Sequence, residues 1–156
     1  MTSLASRPGR GRAPGVGVGT LVAVWSQRAV VDYGLARRAT LTALQAGGAT
    51  PADACDAHPY LLRAAVHHGE PTDQTCPVCR RERLRHVSYV YGDELGRGAG
   101  RVRSSAELAE MARRYTEFRV YVVEVCTGCA WNHLVQSFVL GDVAAREGAS
   151  RHTARR

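Results

Sequence analysis

Two short pairs, Cys76-Pro-Val-Cys79 and Cys126-Thr-Gly-Cys129, restrict this chain more than any other feature. Two residues between cysteines let one tight turn present two thiolates, and two such turns supply the four soft ligands of a tetrahedral Zn²⁺ site. Pro77 stiffens the first turn by fixing its backbone. The 46 residues between Cys79 and Cys126 far exceed the roughly 15–20 of a compact ribbon. The pattern therefore predicts a zinc ribbon with an insertion, in which Cys76, Cys79, Cys126 and Cys129 hold one structural Zn²⁺. Four protein ligands leave no open position for water or substrate, which points away from metal catalysis.

Length makes such a staple useful. A chain of 156 residues forms one modest domain that buries roughly 60–70% of its unfolded surface, and a structural zinc adds on the order of 10 kcal/mol. Five cysteines, four of them paired at metal-binding spacing, suit a reducing compartment better than a disulfide framework, so a cytoplasmic protein is expected. The stretch "RPGRGRAPGVGVGTLVAVWSQ" has the outline of a short signal-peptide core, but Gly15, Gly17 and Gly19 interrupt it and no small-x-small cleavage site follows. It is also shorter than the roughly 20 apolar residues that cross a bilayer, and no membrane association is expected. Residues 1–24 read as a flexible Arg/Gly/Pro-rich tail, with a later translation start near Val22 or Val24 as an alternative.

The formal charge of +7 comes from 21 arginines and no lysine. Its distribution matters more than its size: +3 on residues 1–24, zero on 25–70 and on 71–95, +2 on 96–117, zero on 118–141 and +2 on 142–156. Most of the excess lies on the tails, and basicity alone is weak support for nucleic-acid binding. The local candidates for contact with nucleic acid or a partner are Arg80 and Arg81 in "RRERLR", Arg97, Arg101 and Arg103 in "GRGAGRVR", and Arg63.

Between the tails the fold class is α+β, a helical block (25–70) followed by a small antiparallel zinc-ribbon-like sheet with an inserted helix (71–141). Ser26 caps a first helix whose apolar positions are Val30, Val31, Gly34, Leu35, Leu41 and Leu44, with Arg28, Arg37 and Arg38 toward solvent and Gly47-Gly48 as the stop. Thr50, Pro51 and Asp53 open a short second helix. Pro59 opens a third, striped by Leu61, Leu62, Ala65 and Val66 and closed by Gly69. "EPTDQT" is a polar connector. Residues 86–91 form a strand with Val87, Tyr89 and Tyr91 on one face, and 118–125 form another whose faces are both at least partly covered. A loop spans 92–103. Ser104 and Glu107 form a capping box for a helix that buries Leu108, Met111 and Tyr115. "WNHLVQSFVLG" is a last strand with Leu134, Phe138 and Leu140 on one side, and residues 142–156 are a flexible basic tail.

Each feature has a competing reading. The second and third helices outline a helix-turn-helix, which would turn Arg63, His67 and His68 toward DNA. One arginine on a charge-neutral block favours instead a helical bundle whose last helix packs on the ribbon. Cys-Pro-x-Cys also occurs as a redox pair, but that use needs the pair at a helix N-terminus and leaves the second pair without a role. His86, His133 and Cys55 are available as ligands, yet four paired cysteines complete the site without them, which leaves the histidines as satisfied polar groups and Cys55 as a small buried hydrophobe. Arg80, Arg81, Arg83 and Arg85 would offset the net charge near −2 of a Zn(Cys)₄ centre.

The strings "QRAVVDYGLARRA", "CDAHPYLLRAA", "HVSYVYGDELG" and "VYVVEVCTGCAWNHLV" resemble those of an actinobacterial family of small proteins that carry a domain of unknown function. The resemblance covers about Trp25 to Gly141 and implies no activity. The chain offers no phosphate loop, no Ser-His-Asp order, no paired carboxylates with a credible pocket and no open metal site. The expected function is non-enzymatic, a zinc-ribbon adaptor that docks on a macromolecular complex such as that of transcription or translation. Direct DNA or RNA binding is the alternative, and a thiol redox protein or zinc-linked redox switch is third.

Overall fold

The computed structural model describes residues 27–142. The elements are β1 (Arg28–Asp32), α1 (Gly34–Gln45), α2 (Pro51–Ala54), α3 (Pro59–His68), β2 (Glu70–Thr75), β3 (Arg83–Tyr91), a 3-10 segment (Asp93–Gly98), β4 (Arg101–Val102), α4 (Ser105–Arg114), β5 (Phe118–Val125) and β6 (Asn132–Leu140). The architecture is mixed, with helices against an antiparallel sheet of order β1-β6-β5-β3-β2, and β4 also pairs with β3. The sheet is larger than a small ribbon. The expectations for residues 1–24, for Ser26 as a cap and for the segment after Asp142 fall outside the described residues.

Alternation on the central strands assigns the two faces. Val90, Val120, Val122, Phe118, Phe138 and Leu140 point to one side, where Leu95 and Leu108 and Ala112 of α4 complete a core. Val87 and Val125 point to the other side and pack on Leu61, Leu62 and Ala65 of α3. A third cluster, at the end of the sheet that carries the cysteines, joins Leu84, Trp131, Cys76 and Cys126 to Ala54 of α2, with Leu41 and Leu44 of α1 packed against it. The sheet thus has helices on both faces, α1 and α4 on one and α3 on the other.

Several local signals act as read. Ser104 Oγ accepts from the Glu107 N–H and the Glu107 carboxylate accepts from the Ser104 N–H, starting α4 at Ser105. The Asp53 carboxylate accepts from the Thr50 N–H at 2.7 Å. Gly47 takes φ +74 just after α1, a conformation that costs glycine little.

Other expectations are corrected. The first helix begins at Gly34, and residues 28–32 form an edge strand on β6. The β-branched pair Val30-Val31 suits a strand, and the operative start signal is Asp32, whose Oδ1 accepts from the Gly34 N–H at 2.7 Å. "EPTDQT" is strand β2, with Pro71 at a sheet edge where a missing donor is tolerated. The stretch 92–103 is partly ordered as the 3-10 segment and β4. Leu35 and Val66 are exposed rather than part of their helices' buried stripes. Leu134 faces away from Phe138 and Leu140, because a register shift between Val122 and Val123 inserts one extra residue in β6. Arg37 does not point to solvent but pairs with Glu124.

Candidate metal centre

Antiparallel pairing of β3 with β5 sets Arg85 opposite Val125. The turn that enters β3 and the turn that leaves β5 therefore lie side by side, although about fifty residues separate them in sequence. The two turns have the same geometry. In each, the residue after the second cysteine donates its N–H to the carbonyl of the first, Arg80 to Cys76 and Ala130 to Cys126, both at 3.0 Å. Those same residues occupy the left-handed region, Arg80 at φ 54 and Ala130 at φ 64. Non-glycine residues rarely sit there, and the shared strain fixes both turns in one ligand-presenting shape.

The Sγ atoms of Cys76, Cys79, Cys126 and Cys129 all lie within 4.8 Å of one another, with Cys76 and Cys126 buried and the other two half-buried. Cys76 Sγ is 3.6 Å from Cys129 Sγ, and Cys79 Sγ is 3.7 Å from Cys126 Sγ. A tetrahedral ion with metal–sulfur bonds of about 2.3 Å needs sulfur–sulfur edges of about 3.8 Å. The four cysteines can therefore hold one metal ion.

The surrounding backbone favours thiolates. The N–H groups of Val78 and Cys79 point at Cys76, and those of Gly128 and Cys129 at Cys126. Those of Glu82 and Arg81 point at Cys79, and they hold its thiol down at about 6. Burial acts in the opposite direction on the others, raising Cys76 and Cys126 and pushing Cys129 up to about 12. Protons therefore occupy most of the buried sulfurs unless a cation offsets the charge, and a coordinating thiol is deprotonated outright.

Cys55, at the end of α2, stands beside this set. Its Sγ donates across 3.7 Å to Cys129 Sγ, a contact to a candidate ligand that its sequence context does not reveal. His133 stacks on Trp131 and bonds the Leu134 carbonyl through Nδ1 at 2.7 Å. Burial lowers the pKa of His86 below its ordinary value, with Glu124 and Glu70 opposing. Neither histidine belongs to the cysteine cluster.

A second polar group supports the centre. Glu124, 1% exposed on β5, accepts from Arg37 Nε at 2.6 Å and from the buried Trp131 indole N–H at 2.8 Å. Arg37 belongs to α1, and Trp131 packs among Cys76, Cys126 and Leu84. This bridge ties α1 to the second turn. The signal for it was a lone carboxylate inside "VYVVEV": a charge on a buried strand face requires a partner, though the sequence does not say which.

The six arginines proposed for contacts do not converge. Arg80 and Arg81 are exposed in the first turn, whereas Arg101 pairs with Val90 near the far end of β3, about 20 Å away at the rise of a strand. Arg101 Nε donates to the Arg97 carbonyl, and Arg103 pairs with Glu107 at 3.0 Å. Arg63 lies over the Tyr60 ring on the exposed side of α3 at 4.5 Å. Of the arginines expected to offset the centre, Arg83 pairs with Asp73 and Arg85 donates to the Gly69 carbonyl.

Residues 24–154 match the family described as "Family of unknown function (DUF5318)". The chain belongs to that family. It is 50% identical over 111 residues to the uncharacterized protein Rv0049 of Mycobacterium tuberculosis strain H37Rv, an alignment that covers 71% of this chain and 81% of the relative. The uncharacterized protein Mb0050 of Mycobacterium bovis matches with the same identity and coverage. No solved structure matches the chain. Among the described residues no helix is long and apolar enough to cross a membrane.

Proposed function

We propose that this family member is a non-enzymatic, cytoplasmic zinc-ribbon adaptor, in which one structural Zn²⁺ on Cys76, Cys79, Cys126 and Cys129 fixes a sheet that docks on a macromolecular complex. The observation that carries this reading is the pair of matching turns, whose four sulfurs stand at tetrahedral spacing with backbone N–H groups directed at them. All-sulfur tetrahedral sites are occupied in proteins by zinc or by iron–sulfur chemistry. A closed four-ligand zinc contributes to folding and offers no site for substrate. Assignment to the machinery of transcription or translation is by analogy with other ribbons, which present a rigid hairpin surface to large assemblies.

The purified chain should contain one zinc per molecule by elemental analysis, and Cys76→Ser and Cys126→Ser should each lose it, because each removes one ligand of a shared ion. Full occupancy in both variants defeats the single-site reading. Thiol labelling separates the adaptor from a redox protein. Zinc-bound thiolates should alkylate slowly until the metal is removed, whereas a redox nucleophile reacts rapidly with zinc still bound.

A further inference from the structure

The chain's fifth cysteine stands one step outside the four-sulfur set. Cys55 Sγ lies 3.7 Å from Cys129 Sγ, a separation like the 3.6 and 3.7 Å that candidate ligands keep from one another. It is also close to the edge of about 3.8 Å in a tetrahedral thiolate site with metal–sulfur bonds of about 2.3 Å. Cys55 does not join the group whose sulfurs all lie within 4.8 Å of one another. It therefore sits outside the tetrahedron, beside one of its corners.

Hydrogen bonds on both segments hold it there. The Ala57 N–H donates to the Ala130 carbonyl at 3.0 Å, and Asn132 Nδ2 donates to Asp56 Oδ1 at 3.0 Å. The residues that follow Cys55 are thus fastened to those that follow Cys129. The half-buried Cys55 side chain packs against the cluster of Cys76, Cys126, Leu84 and Trp131. Its chemistry exceeds what packing or a hydrogen bond needs. The Trp131 N–H already serves Cys129, and a hydroxyl would supply a better extra donor than the weak S–H. What a thiol adds at this place is a soft metal ligand. The first turn has no such neighbour. Cys79 occupies the position equivalent to Cys129, and the hollow beside its turn is lined by residues such as Leu41, Leu44, Pro51 and Val78, with no thiol. The chain has no sixth cysteine.

We propose that the centre is a five-thiol site in which Cys55 is a reserve ligand that takes the place of Cys129 on the metal. The inference rests on the zinc reading and adds to it a second ligand set, Cys55 with Cys76, Cys79 and Cys126. In the exchange the metal–sulfur bond to Cys129 breaks and one to Cys55 forms, while the Cys55 thiol proton crosses the 3.7 Å contact to the Cys129 sulfur. The ion keeps four thiolates and the centre keeps its charge, so no oxidant, reductant or external base is consumed. Cys129 is the ligand placed to leave, because it is half-buried, whereas Cys76 and Cys126 are 1% and 0% exposed. A centre built this way holds its ion when the Cys129 thiolate is taken by an alkylating or oxidising agent.

The test compares the two positions that the twin turns make equivalent. Full-length wild type, Cys79→Ala, Cys129→Ala, Cys55→Ala and the double variant Cys55→Ala/Cys129→Ala are loaded with Zn²⁺ and dialysed against a competing chelator, and zinc per chain is measured by elemental analysis. Cys129→Ala should keep the wild-type zinc content, as should Cys55→Ala, which leaves the first ligand set complete. Cys79→Ala and the double variant should lose the metal. Titration with Co²⁺ then reads the number of thiolates directly, even in a variant that folds poorly. The sulfur-to-metal charge-transfer absorbance of Cys129→Ala should match that of wild type, with four thiolates, and should drop in the double variant, with three. A Cys129→Ala chain as empty of zinc as Cys79→Ala overturns the proposal, and so does a double variant as full as Cys129→Ala. Wild type that takes up no metal removes the zinc reading and this inference together, whereas normal loading of wild type beside an empty Cys129→Ala removes this inference alone.

Discussion

Glu124 concentrates the electrostatic cost of this fold in one side chain. A carboxylate that is 1% exposed is stable only with its partners in place, and both are single contacts: Arg37 Nε, from α1, at 2.6 Å and the Trp131 indole N–H, just beyond the turn that follows β5, at 2.8 Å. Glu124→Ala strands the indole donor in a dry site and leaves a half-buried guanidinium unpaired. Removing one member of a fully buried pair costs about 3–5 kcal/mol, and the partial exposure of Arg37 places the expected loss at the lower part of that range, about 3 kcal/mol. Glu124→Gln retains an acceptor for Trp131 and should lose about half as much. Urea denaturation of both variants checks the order, and equal losses would mean that the charge contributes nothing beyond its hydrogen bonds.

Among the elements, α4 shows what local sequence can specify. Its start is fixed by the reciprocal Ser104–Glu107 box, and of the expected stripe Leu108 is buried while Met111 and Tyr115 are partly buried, with Ala112 completing the buried side. Ser104→Ala should cost about 1 kcal/mol, the usual value of such a cap, with the denaturant slope unchanged because the surface exposed on unfolding is the same. A loss below about 0.3 kcal/mol would show that α4 is held by its packing alone. The cap and the cysteine turns were legible because each rests on contacts within a few residues, and β3, β5 and β6 because each carries its own β-branched or alternating apolar pattern. β1 and β2 were not. Residues 28–32 carry a pattern compatible with either a helix or a strand, and the edge of β6, over a hundred residues later in sequence, decides between them. "EPTDQT" has no apolar alternation, and it becomes a strand because β3 offers it hydrogen bonds. The extra residue in β6 that reverses Leu134 is set by pairing with β5 rather than by composition. The same division holds at the site. The four sulfurs follow from motif spacing, whereas Glu124, Arg37 and the contact of Cys55 with Cys129 depend on three segments meeting in space.

At the scale of the molecule, the proposed zinc at the cysteine centre would decide whether the rest persists. It joins the turn between β2 and β3 to the turn between β5 and β6, and its cluster also holds Ala54 of α2 and Leu41 and Leu44 of α1. A domain of this size has a total stability of about 5–15 kcal/mol, and a structural zinc contributes on the order of 10 kcal/mol. The two figures are comparable, so on the zinc reading the metal-free chain would sit near or below the balance point. Fraying confined to one end of the sheet would then be disfavoured, because β3 and β5 run from the centre directly into the other two cores. Chelation should therefore abolish structure cooperatively. Hydrogen exchange should show Val120 and Phe138, far from the sulfurs, losing protection together with Leu84 and Trp131, and restored metal should return all four. Persistent protection at Val120 and Phe138 in the metal-free chain would mean that the α4 side of the sheet folds without the centre, and that the metal organises only its own end.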